Sequence, residues 1–110
     1  MRPKYTVFIP AYRADIFIDN FCDNILRQSE APDQVIIVDD TKNSKKFFNK
    51  IKNIISRENK IDLTLVKNTK RLKPGKSWNK YLKLFRNKLV FRMDADDIWK
   101  KNHTKKMIDE

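Results

Sequence analysis

The stretch Leu89-Val90-Phe91-Arg92-Met93-Asp94-Ala95-Asp96-Asp97 decides how this chain is read. A short apolar run, of the kind that forms a buried strand, ends in three carboxylates within four residues. Carboxylates this close repel one another and raise one another's pKa unless positive charge sits among them. In a chain with a net charge of +11, a lysine could supply that charge. The alternation Asp94, Ala95, Asp96 points to a metal instead. In extended backbone, positions i and i+2 face the same way, so both carboxylates can converge on one hard cation. The small Ala95 between them leaves room for a bulky ligand. Oxygen-only ligation of this kind suits Mg2+ or Mn2+ carrying a phosphate. An exposed acidic turn capping a helix would use the same residues, since aspartate is favoured at N-caps. The apolar strand feeding the cluster favours the metal.

Upstream of this stretch, strand-like and helix-like segments alternate. Tyr5 to Ile9 is a β-rich run stopped by Pro10. Ile18, Phe21, Cys22, Ile25 and Leu26 recur at helical spacing, with Asp15 as N-cap, and Ala31-Pro32-Asp33 breaks that helix. Val35-Ile36-Ile37-Val38 is β-branched throughout, the mark of a strand buried on both faces. It too ends in acid, at Asp39-Asp40, which could also be a plain strand-end turn. Ser44 can cap a second helix with Phe47, Phe48, Ile51, Ile54 and Ile55 on its apolar face. Leu63-Thr64-Leu65-Val66 is a third strand, and the basic residues 67–76, with Pro74 and Gly75, form a loop. Trp78, Tyr81, Leu82 and Phe85 mark a third helix, Leu89 to Met93 the fourth strand, and Asn102 to Glu110 the start of a fourth helix.

Strand-helix alternation of this kind implies an α/β fold, Rossmann-like, with a mostly parallel sheet of about four strands, right-handed crossovers and helices on both faces. In open parallel sheets, ligands bind outside the carboxyl ends of the strands, where the strand order reverses. Pro10-Ala11-Tyr12-Arg13, Asp39-Asp40, the 68–75 loop and Asp94 to Asp97 all follow strands. Every unusual polar cluster is therefore expected on one edge of one sheet.

Composition sets the outer bounds. The chain has 110 residues, enough for one small domain with one core. One cysteine, Cys22, excludes an internal disulfide and a cysteine-based zinc site, and one histidine, His103, excludes a multi-histidine metal site. Cys22 reads as core and His103, among Lys and Asn, as solvated. No apolar run approaches the roughly 20 residues of a membrane span. Residues 1–5 lead straight into the first strand without a signal peptide's apolar region. A cytoplasmic setting is the expectation. The basic excess consists of 18 Lys and 7 Arg, beside 10 Asn and a single Gly, and A/T-rich codon usage would produce the same bias. Taken as functional, it fits a phosphorylated substrate, an anionic membrane surface or nucleic acid. A nucleic-acid-binding module is the competing function. It would need arginine to read bases, and arginine is scarce here, while the acidic clusters occupy the edge expected to bind. Gly75-Lys76-Ser77 has the look of a phosphate-cradling loop, but the earlier glycine that such a loop requires is Lys70. Trp78, Tyr81 and Phe85 read as core, and Trp99 as a hydrophobic anchor.

FIPAYR at 8–13, VIIVDD at 35–40, GKSWN at 75–79 and FRMDADD at 91–97, in that order and spacing, resemble the N-terminal half of family 2 glycosyltransferases. The resemblance runs from Tyr5 to about Met107. It implies the A-type nucleotide-diphospho-sugar fold, inverting chemistry, and a DxD metal signature in Asp94-Ala95-Asp96. Residue by residue, it implies that Pro10, Ala11 and Tyr12 flank the nucleotide base and that Asp40 accepts a hydrogen bond from a uracil-like N3–H. Lys76 lies towards the diphosphate, Asp94 faces ribose and metal, and Asp96 ligates Mn2+ or Mg2+. The implied donor is a nucleotide-diphosphate sugar, a UDP-sugar first among them. The implied acceptor is a glycan or lipid-linked sugar of polysaccharide synthesis, with peripheral contact at the inner, anionic face of a membrane. The chain departs from the pattern where Thr41-Lys42 replaces the usual Gly-Ser, where Asn68-Thr69-Lys70 replaces Asn-x-Gly, and where a proline is missing from Lys100-Lys101-Asn102. By the same resemblance, residues 1–110 form a single donor-binding domain incomplete at its C-terminus, with the general base beyond Glu110. A non-catalytic remnant of such an enzyme is the other alternative.

Overall fold

The computed structural model describes residues 3–11, 17–39, 44–55, 60–67, 82–94 and 99–109. Four strands are formed: β1 (Tyr5–Ala11), β2 (Gln34–Asp39), β3 (Asp62–Lys67) and β4 (Leu89–Arg92). They alternate with α1 (Ile18–Arg27) and α2 (Ser44–Ile55), and α3 (His103–Asp109) follows β4. The sheet is parallel throughout, in the order β3-β2-β1-β4. This is the expected α/β, Rossmann-like arrangement.

The layering follows from handedness. From β1 to β2 to β3 the chain steps steadily to one side, so right-handed crossovers place α1 and α2 on the same face. Along β1, Tyr5, Val7, Ile9 and Ala11 meet that helical layer. Phe21, Cys22 and Ile25 of α1, with Phe47, Ile51 and Ile55 of α2, complete the main core. Strand β4 lies on the other side of β1 from β2 and β3, and the described residues just before it lie on the opposite face. There Leu84 and Phe85 pack against Phe8, Ile36 and Val38, with the Phe8 and Phe85 rings edge-on at 5.5 Å. The helix expected over Trp78 to Phe85 lies largely outside the described residues, and its described end, Leu82–Leu84, is a 3-10 turn. Every residue of β2 is buried, as its unbroken β-branched run demands. The outer strands β3 and β4 are mostly half-buried.

Pro10 does not end β1. The strand runs on to Ala11, with Pro10 in register with Val38. Phe8 turns its carbonyl to the β4 side, where it accepts from Met93 N–H at 2.9 Å. Two residues on, the missing proline donor faces the same side, beyond the end of β4, so no ladder bond is lost. The start of α1 also differs from expectation. Asp15 lies outside the described residues, and the cap position belongs to Phe17, with no side-chain cap. Asp19 in the first turn favours the helix dipole instead. His103, expected to be solvated, is half-buried. It stacks on Trp99 with ring centroids 4.4 Å apart, and Trp99 is the core anchor expected of it.

Polar groups inside the sheet are tied down. Thr6 Oγ1 donates to Gln34 Oε1 at 2.8 Å. Gln34 Nε2 donates to the Leu84 carbonyl at 3.0 Å, and Arg86 N–H donates to Gln34 Oε1 at 3.0 Å. The approach to β4 is thereby pinned across the second face.

Cys22 is fully buried against the helical core. Burial, reinforced by the Asp19 carboxylate and opposed by Lys50, pushes its thiol from 9.0 up to about 12. The folded state therefore holds this proton more tightly than the unfolded chain does. The stability it contributes is complete below pH 9 and is lost as pH rises towards 12. In urea titrations, the native chain should lose stability between pH 9 and 11 faster than Cys22→Ala, by at most about 1.4 kcal/mol per pH unit. At pH 8 a thiol reagent should label Cys22 only on unfolding.

Candidate functional site

The carboxyl ends of the strands form a stepped rim. Ala11 of β1, Asp39 of β2 and Lys67 of β3 stand level with one another in the ladder. Strand β4 stops lower, with Arg92 opposite Phe8. Carried two residues further in the same register, the chain brings Asp94 level with Pro10. The strand order reverses between β2 and β4, on either side of β1, and a crevice opens at such a reversal. Asp39 and Asp94 flank the end of β1 two strand spacings apart, about 10 Å.

Side-chain alternation sorts the rim into two faces. Asp39 follows Val35 and Ile37 onto the helical side and is fully buried there. Arg92 and Asp94 follow Val90 onto the opposite side, which also carries Phe8, Ile36 and Val38. Pro10 belongs to this second face by the same parity. Here the Arg92 guanidinium donates from Nε to Asp94 Oδ1 at 3.3 Å. Among the described residues, positive charge reaches the first aspartate of the acidic stretch from an arginine two residues upstream. From sequence a lysine was one possible source of that charge, with a metal favoured over it, and Arg92 was not singled out. The i, i+2 spacing of Arg92 and Asp94 in a strand was the available signal.

Of the residues singled out from sequence, the structure brings Pro10, Ala11 and Asp94 to one rim. Pro10 is half-buried. The Ala11 side chain is packed into the helical core at 1% exposure, so the contact it can offer a ligand is through its backbone. Tyr12, Asp40, Lys76 and Asp96 lie outside the described residues, as do Ala95 and Asp97.

The donor chemistry suits a hard divalent cation. Asp94 presents an exposed carboxylate just past the end of the half-buried β4, with 55% of its side chain accessible. Among the described residues no three carboxylate, imidazole or thiol groups converge as a closed metal cage. A single exposed carboxylate of this kind can share Mg2+ or Mn2+ with phosphate oxygens and water.

The profile of glycosyl transferase family 2 matches residues 6–110. The chain belongs to that family. Solved structures agree on the fold. A mannosyltransferase of Pyrobaculum calidifontis, in complex with GDP-Man and Mn2+, superimposes with a TM-score of 0.74 at 28% identity, covering 90% of this chain and 29% of that one. TarS of S. aureus gives a TM-score of 0.74 at 25% identity, covering 94% of this chain and 18% of its own. Its 1–349 portion in complex with UDP gives 0.73 at 24% identity, covering 94% and 30%, a likeness of fold alone. This family 2 chain therefore spans less than a third of each of these proteins. No curated protein gives a significant match.

The Arg92–Asp94 pair is too exposed to hold the fold together, since solvent screens such pairs. A double-mutant cycle with Arg92→Gln and Asp94→Asn, followed by urea unfolding, should give a coupling below about 1 kcal/mol that shrinks further in salt. A coupling above about 2 kcal/mol would mean that the rim is far drier than its exposure indicates.

Proposed function

We propose that this chain carries the donor-binding half of an inverting glycosyltransferase. It takes a nucleotide-diphosphate sugar bridged by Mn2+ or Mg2+, for transfer to a glycan or lipid-linked acceptor. The observation that carries the reading is the placement of the acidic stretch. It follows β4 beside the strand-order reversal, in a chain whose family match runs almost end to end. The Mn2+ in the complex of the Pyrobaculum mannosyltransferase supports divalent-metal use here.

Each residue has a stated task. Asp94 and Asp96 would hold the cation, and Arg92 would keep the Asp94 carboxylate turned to the second face of the rim. Pro10, Ala11 and Tyr12 would border the base, and Lys76 would donate to a diphosphate oxygen. Asp40 would accept a ring N–H from the base. Uracil N3–H and guanine N1–H both meet that requirement, and UDP and GDP-Man are the ligands of the two solved relatives. When bound, the cation would neutralise charge on the departing diphosphate and act as a template. Positive side chains of the loop would add fixed electrostatic stabilisation. Deprotonation of the acceptor hydroxyl is assigned to no residue within 1–110.

A peripheral contact with an anionic membrane is part of this reading. Lys100, Lys101, Lys105 and Lys106 line one groove beside α3. Met107, next in sequence, is the exposed large apolar side chain among the described residues. The groove also includes Ser29, just past the last turn of α1. That end of α1 lies by the start of β1, because the Tyr5 hydroxyl donates to the carbonyl of Glu30. A bilayer there would leave the donor rim clear.

Calorimetry with UDP and GDP, each with and without Mn2+, tests the main reading. Binding by the native chain should strengthen at least tenfold with the metal, and Asp96→Ala should remove that gain while leaving the circular dichroism spectrum unchanged. A folded chain whose nucleotide binding ignores Mn2+ would overturn it. For the membrane contact, co-sedimentation with vesicles containing phosphatidylserine should fall when Lys100, Lys101, Lys105 and Lys106 are changed together to Gln. Equal sedimentation with neutral vesicles would refute an electrostatic contact.

A further inference from the structure

The last turn of α1 grips the chain just downstream of the acidic stretch. Three consecutive carbonyls are taken by three consecutive residues. Arg27 donates to the Trp99 carbonyl at 3.1 Å, Gln28 Nε2 to the Lys100 carbonyl at 2.9 Å, and Ser29 N–H to the Lys101 carbonyl at 2.8 Å. In the other direction, Asn24 Oδ1 accepts from Trp99 N–H at 3.0 Å, and Gln28 Oε1 accepts from Thr104 N–H at 3.1 Å. Asn24 is fully buried and Gln28 is 6% exposed.

Two amides in this position are an expensive way to fill a core. Each carries a desolvation cost that its hydrogen bonds only just offset, and an apolar side chain of like volume would serve stability as well. What the amides provide is a fixed backbone position at Trp99. Upstream, Met93 N–H is fixed to the Phe8 carbonyl at 2.9 Å. In sequence, five residues separate Met93 from Trp99, and the three aspartates are among them.

We propose that Asn24 and Gln28 are positioning residues for the cation site: they bond the backbone at Trp99 and Lys100 to α1, and so fix the downstream end of the segment that Asp94 begins. The proposal rests on the donor-binding reading above and extends it to two residues that touch neither nucleotide nor metal. Outer partners of this kind commonly govern metal affinity by tenfold or more.

The test uses the full chain with Mn2+ and UDP. Gln28→Met keeps the volume and loses the hydrogen bonds. Asn24→Asp keeps the acceptor, beside the Arg27 guanidinium that already donates to it at 2.8 Å, whereas Asn24→Leu removes it. Gln28→Met and Asn24→Leu should bind UDP without metal as the native chain does, yet lose about tenfold in apparent Mn2+ affinity. Asn24→Asp should retain that affinity. Arg27→Leu, at a half-exposed site certain to tolerate change better, should show a smaller loss in the same direction. Amide hydrogen exchange supplies the second readout. Exchange at residues 94–99 should rise in the variants while the β1 and β2 amides stay protected. Unchanged Mn2+ affinity in folded variants, or an equal loss of metal-free binding, overturns the proposal. If the native chain shows no Mn2+ effect, the donor-binding reading falls. Exchange then decides the clamp, which unchanged rates at 94–99 would refute.

Discussion

Strand β1 is paired on both sides and buried on both faces, and everything near the candidate site takes its position from it. Its ladder to β2 sets Asp39 level with Ala11, and its shorter ladder to β4 sets the height at which the acidic stretch begins. The strand order reverses across β1, and it is at such a reversal that an open parallel sheet leaves room for a ligand. A one-residue slip of β4 against β1 would exchange the faces of Arg92 and Met93. That slip would bury a guanidinium in the helical core and expose Met93, which is fully buried. The hydrophobic pattern of β4 therefore defends the geometry of the rim as well as the fold.

The two faces of the sheet divide the labour. The helical face is a dry core closed by α1 and α2, and its polar members either bond locally or are turned to fixing chain segments. Asn24 and Gln28 hold residues 99–101, and the Tyr5 hydroxyl reaches Thr104 Oγ1 at 3.0 Å. The opposite face carries fewer fully buried side chains, and Arg92 and Asp94 stand on it with solvent access. The proposed site, which would admit a phosphate and a hydrated cation, is better served by this second face.

Much of this arrangement was legible in the residues. The β-branched run of β2 announced a central strand, and strand-helix alternation announced parallel pairing, because both are local patterns with one packing solution. The run of acid after β4 marked the rim for the same reason. Other features depended on partners that no local pattern reveals. Pro10 looked like a strand terminator because nothing in its neighbourhood tells that β4 stops short of it. His103 looked solvated among lysines, yet Trp99 offers it a ring to stack on. The amides of Asn24 and Gln28 sit on an otherwise apolar helix stripe, and their value appears only when residues 99–104 are folded back against them, more than seventy positions away. Arg92 was within reach, since its spacing from Asp94 places both on one face.

The charge balance of the chain can be understood on the same footing. A net charge of +11 would be poorly spent on neutralising three carboxylates in place, for then the rim would have nothing left to offer a cation. Among the described residues near the rim, Arg92 meets Asp94 from the strand, while Lys67 stands at the far edge of the sheet beyond Asp39. The lysines beside α3 lie towards the start of β1, the end of that strand away from the rim. One guanidinium with a planar, directional donor orients a carboxylate without collapsing the cluster, which a flexible ammonium would do less well. Separating a locally acidic rim from a globally basic surface also gives an anionic nucleotide a long-range attraction to the molecule. Its final approach to the acid would then depend on the cation it carries.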